Sequence, residues 1–122
     1  MKINNPFGFD NVVSVIAGLG VPGLVLLVAM AISGWAGAVA ITTALAALGG
    51  PLGMLGGIAL LGVLAIISKG LAEFGLEKIS FAVINRMEKG GQTKDDIYRQ
   101  ILKYPISSAL KRKLRDMLFG NY

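Results

Sequence analysis

The sequence predicts an all-α membrane protein built on a transmembrane helical hairpin, with helices over about residues 22–48 and 51–68 and the second continuing to about residue 89. A short N-terminal helix precedes the hairpin and two short amphipathic helices follow it. Three observations predict this class. The stretch from Asn11 to Ser68 runs 58 residues without an Asp, Glu, Lys or Arg. The chain is 54% hydrophobic with a mean hydropathy of +0.67, more apolar than a small core absorbs. Charge is also segregated, because eleven of twelve Lys and Arg and six of seven Asp and Glu lie at or after Lys69. Three segments follow: an N-terminal interfacial segment with a short helix over 1–21, a glycine-rich transmembrane hairpin over 22–68, and a charged helical region over 69–122.

Residues 1–10 hold Asn5-Pro6 and Phe7-Gly8, a surface composition whose Phe7 and Phe9 suit the lipid headgroup level. Asp10 stands where an N-cap belongs, ahead of the apolar run Asn11 to Ala17, and Gly18 and Gly20 close that first helix. The small residues Ala31-Ile32-Ser33-Gly34 after an apolar run invite comparison with a signal-peptide cleavage site, but Asp10 and the long apolar continuation argue against one. Pro22 to Leu48 reads as one helix of about 40 Å at 1.5 Å per residue, enough to cross the hydrocarbon core. Trp35 falls in its middle, where a partner for the ring is expected rather than a headgroup.

Gly49-Gly50-Pro51 marks the hairpin turn, since glycine ends one helix and proline suits the first turn of the next. Gly49, Gly53 and Gly57 fall four apart, and Ser33 with Gly37, and Ala36 with Ala40 and Ala44, repeat that spacing before the turn. Small residues at this interval let backbones approach, so Ser33, Gly37, Ala40, Ala44, Gly49, Gly53 and Gly57 are the expected helix-packing and oligomer contacts.

In the charged third, Leu76, Ile79, Val83 and Met87 keep helical spacing to Lys89, and Gly90-Gly91 ends the run. Thr93 opens the next helix with Asp95 and Asp96 in its first turn and Ile97, Tyr98, Ile101 and Leu102 on its apolar side. Pro105 stops it. Ser107 or Ser108 caps a last helix whose Leu110, Leu114, Met117 and Leu118 face one way, and Gly120 ends it. Opposite that stripe, Lys111, Arg112, Lys113 and Arg115 form a basic face expected to meet anionic lipid headgroups.

Enzymatic chemistry has little material. With no histidine to activate them, the serines at 14, 33, 68, 80, 107 and 108 read as ordinary polar residues, and with no cysteine there is no thiolate. Glu73 and Glu77 are one turn apart, yet Lys69 and Lys78 are near enough to neutralise them, so no metal, cofactor or catalytic residue is expected. Glycine clusters without a following Lys-Ser or Lys-Thr are no phosphate loop. The two helices around Tyr104-Pro105 lack the glycine usual in a helix-turn-helix, and no nucleic acid is expected as partner.

A long uncharged hairpin with Gly-Gly-Pro at its tip, joined to amphipathic helices, resembles the membrane-inserting hairpins of pore-forming colicins and is similar to holin-type small membrane proteins. The likeness covers residues 11–89 in pattern and transfers no residue roles. It implies a protein that oligomerises in a bilayer and makes it leak, as a toxin, lysis or defence effector. Two other classes stand beside it: a structural membrane-scaffolding oligomer, and an anchor subunit that binds a protein partner through its C-terminal helices. Expected partners are the lipid bilayer, anionic lipid included, and further copies of the chain. The excess of Lys and Arg after residue 68 predicts an integral membrane location with both termini cytoplasmic.

Overall fold

The computed structural model describes residues 6–32, 35–47 and 57–120. Among them the chain is all-helical, with seven helices: α1 (Phe9–Gly18), α2 (Val21–Ala31), α3 (Trp35–Ala47), α4 (Gly57–Phe74), α5 (Leu76–Lys89), α6 (Lys94–Leu102) and α7 (Ser108–Phe119).

Both long helices expected from the sequence are broken. The stretch 22–48 becomes α2 and α3 because Ile32 turns extended, at φ −102° and ψ 130°, and α3 packs on α2 more extensively than any other pair of described helices touches. Gly37 permits that approach. A Cβ there would stand 2.9 Å from the Ala29 carbonyl oxygen and closer still to that of Ile32, so only glycine lets α3 start this near to α2. Trp35 therefore opens a helix and does not sit in the middle of one.

The second break is at Gly75, between α4 and α5. Its φ of 84° and ψ of 158° belong to a region that side-chain-bearing residues avoid. The Gly75 amide still donates to the Leu71 carbonyl at 3.1 Å, so α4 is closed before the chain bends away. Gly75→Ala is expected to lower stability by about 1–3 kcal/mol, seen as a lower urea midpoint with unchanged slope. An unchanged midpoint would mean that the chain passes this corner in another conformation.

One hydrophobic core draws on all three sequence segments, from Val12 and Ile16 of α1 to Leu114 and Leu118 of α7. At its centre lies α2. Every residue from Leu24 to Ala29 is completely shielded from solvent, and α1, α3, α4, α5, α6 and α7 all pack against this helix. A helix apolar all round must be enclosed on every side, and here protein encloses it.

The uncharged α3 forms part of the cover, and amphipathic helices form much of the rest. In α5, Ile79, Val83, Ile84 and Met87 turn inward, and the buried Ser80 hydroxyl donates to the Glu77 carbonyl at 3.1 Å. Ile97 and Ile101 do the same for α6, and Leu110, Leu114, Met117 and Leu118 for α7. The helix starts are fixed locally: Thr93 Oγ1 accepts from the Asp96 amide at 3.0 Å, and Ser107, rather than Ser108, accepts from the Leu110 amide at 3.2 Å. Asp10 is not a cap. It lies in the first turn of α1, where the N-cap is Gly8 and a carboxylate still favours the helix dipole.

No helix among the described residues is long and apolar enough to cross a membrane. This corrects the expected integral membrane location with cytoplasmic termini, and with it the transmembrane hairpin over 22–68. For the first arm the physical reason is the break at Ile32: α2 and α3, with 11 and 13 residues, reach about 17 and 20 Å at 1.5 Å per residue, short of the roughly 30 Å of hydrocarbon, and in the second arm α4 already carries Lys69 and Glu73 within its 18 residues.

Candidate functional site

The expected hairpin turn at Gly49, Gly50 and Pro51, and the packing positions Ser33 and Gly53, lie outside the described residues. Gly57 is the first residue of α4. Gly37, Ala40 and Ala44 are buried on α3, with Ala40 and Ala44 fully shielded, so within one chain these small residues serve the folded core.

At the N-terminus the aromatic rings meet protein cations. Phe9 packs edge-on against Phe74, with centroids 5.1 Å apart, and the Lys78 ammonium lies 5.0 Å from the Phe9 centroid and 5.6 Å from that of Phe74. Lys69 lies 5.5 Å from the Phe7 centroid. Rings expected at lipid headgroups thus hold the start of α1, and Phe7 just before it, onto α4 and α5 around their corner through aromatic and cation–π contacts. The same geometry revises the reading of Glu73 and Glu77. The Gly75 corner puts them on different helices, both exposed, while the lysines expected to neutralise them sit over aromatic rings. Among the described residues no three acidic side chains gather as a metal-holding group.

The basic helix α7 divides its four cations. Lys111 is half-buried and its ammonium donates to the Leu102 carbonyl at 3.0 Å, closing the C-terminal end of α6. Arg112 and Lys113 are exposed, and so is Arg115, which pairs loosely with Asp116 at 3.5 Å. Lys103, on the α6–α7 connection, is exposed as well. In that connection, burial raises the pKa of the Tyr104 phenol above its usual value of 10.0. Arg99 does not join this group, since it is tied to Asp96 at 3.0 Å on its own helix.

Beside the basic face runs a groove of about 260 Å³ between α5, the start of α6 and the end of α7. Phe81 and Ile84 from α5 and Met117 and Phe119 from α7 supply its apolar lining, and Glu88 and Lys94 its charged rim. Phe81 is 72% exposed and Phe119 39%, although Phe119 also meets the Tyr98 ring edge-on at 5.9 Å. Sequence reasoning passed over Phe81 and Phe119. The signal for Phe81 was present: it stands two residues, about 200° of helix, from Ile79, opposite the stripe that faces the core.

Comparison with protein-family models, with curated proteins and with solved structures finds no match for this chain.

Proposed function

We propose that this chain disrupts lipid membranes, several copies acting together, in the manner of a toxin, lysis factor or defence effector. The observation that carries the reading is the position of α2. Its 11 residues, Val21 to Ala31, contain no polar side chain, and Leu24 to Ala29 are completely shielded between the uncharged α3 and the charge-bearing helices α5, α6 and α7. Such a fold stores an apolar element that gains free energy in hydrocarbon as readily as in a protein core. Being too short to span the hydrocarbon singly, α2 and α3 act as wedges that enter one leaflet and disorder it, and no polar-lined channel is required. The charged outer faces of α5, α6 and α7 give that side of the folded form an aqueous surface, and the basic face of α7 gives it affinity for anionic lipid, worth about 1 kcal/mol per cation near the surface.

Dye release from vesicles tests this. The protein is expected to empty vesicles containing anionic lipid, with a rate that rises more steeply than linearly with protein concentration, and to spare zwitterionic ones. Raising salt from 0.01 M to 0.15 M should slow release, because the screening length falls from about 30 Å to about 8 Å. Vesicles of every composition staying sealed at high protein would leave the scaffold and anchor-subunit classes in its place.

A further inference from the structure

We infer that the folded protein docks on the anionic bilayer surface through one specific face, made by Phe81 and Phe119 together with Arg112 and Arg115. The partner rests on the membrane reading above.

Arg112, Arg115 and Phe119 are spaced i, i+3 and i+7 on α7, so they share the side opposite the buried Leu110, Leu114 and Met117. Both arginines are exposed. Phe119 lines one groove with Phe81 of α5, and its spacing on α7 puts it on the same side of that helix as the two arginines. Two of the large hydrophobic side chains left exposed thus line one groove, on a helix whose outer side also carries exposed arginines. Asp116 is the single carboxylate on α7, and Arg115 already faces it. At the groove rim Lys94 offsets Glu88. The residual charge on this face is positive.

A bilayer interface suits that combination. Aromatic rings settle at the headgroup level while arginines beside them meet lipid phosphates, and a convex helix face needs no shaped counterpart in a fluid surface. Lys111 is excluded from the contact, because its ammonium is committed to the Leu102 carbonyl.

The chain has no cysteine, so a polarity-sensitive fluorophore can be placed at single sites by Phe81→Cys, Phe119→Cys and, as a control on the exposed side of α4, Ala72→Cys. On vesicles of phosphatidylcholine with phosphatidylglycerol, the probes at 81 and 119 should shift to the blue and the probe at 72 should not. Arg112→Gln with Arg115→Gln should weaken partitioning into those vesicles about thirtyfold, and Phe81→Ser with Phe119→Ser about tenfold. Lys111→Gln should leave it within about twofold.

Equal shifts at all three sites, or partitioning indifferent to both double variants, would overturn the face. So would a wild type that ignores anionic vesicles, or one whose groove is closed by an acidic protein instead. The two proposals fail separately. Docking through this face without dye release removes membrane disruption and keeps the surface; dye release with the probes at 81 and 119 unshifted removes the surface and keeps the disruption.

Discussion

Leu26→Lys is expected to unfold the protein in buffer. Leu26 is completely shielded at the middle of α2, with helices on every side, so a lysine there has neither solvent nor a carboxylate within the core. Burying an unpaired ammonium costs several kcal/mol even after relaxation, and the lost leucine packing adds about 2–5 kcal/mol. A domain of this size has about 5–15 kcal/mol in total. Far-UV circular dichroism with urea titration reads the result. Leu26→Ala should keep the fold and lose about 2–5 kcal/mol, whereas Leu102→Lys, at a site 46% exposed, should stay within about 0.5 kcal/mol of wild type. A Leu26→Lys protein as stable as the Leu102→Lys control would place α2 outside the core and remove the sheltered-helix argument.

A disulfide between positions 12 and 70 is expected to abolish vesicle leakage for as long as it stays oxidised. Gly70 lets α4 approach α1 closely: a Cβ at 70 stands 2.7 Å from one Val12 methyl carbon and 3.4 Å from the other. Sulfur in the place of such a methyl group lies within bridging reach, so Val12→Cys with Gly70→Cys can close with little backbone movement. Both helices pack against α2, and tying them together holds the cover over it. Oxidised protein should release dye at least about tenfold more slowly than wild type, and reductant should restore the rate. Bound protein should not change, since the lock lies away from the α7 face. Equal leakage from the oxidised and reduced forms would show that α1 and α4 need not part, and the stored-helix mechanism would fail.

These expectations rest on elements of unequal legibility. The helices α6 and α7, and the inward stripe and C-terminal end of α5 though not its start at Leu76, were readable almost residue by residue, because their signals are local. Thr93 and Ser107 cap through a bond to an amide three residues on, Gly90 and Gly120 follow the helix ends, and the apolar stripes repeat at helical spacing. The basic face was readable too, from four cations placed opposite Leu110 and Leu114. Its partition was not. Whether Lys111 meets lipid or the Leu102 carbonyl depends on how α6 returns alongside α7, which no local spacing states. Phe9 and Lys78 are a similar case, brought together across 69 positions by the packing of α1 against α5.

What the sequence by itself determined is helix content, the uncharged character of Asn11 to Ser68, the absence of histidine and cysteine, and the caps that delimit the last helices. What only the tertiary structure decided is what surrounds α2, the most apolar part of that run. A helix hydrophobic on every side satisfies its backbone equally in lipid and in a protein interior, so its own residues do not distinguish the two. The decision falls to the neighbouring α1 and α3 and to the inward faces of α5, α6 and α7, far along the chain, which together supply enough apolar surface to enclose α2. It falls also to Ile32 and Gly75, where two long helices turn into four short ones because the packed arrangement stabilises corners that the isolated sequence does not demand.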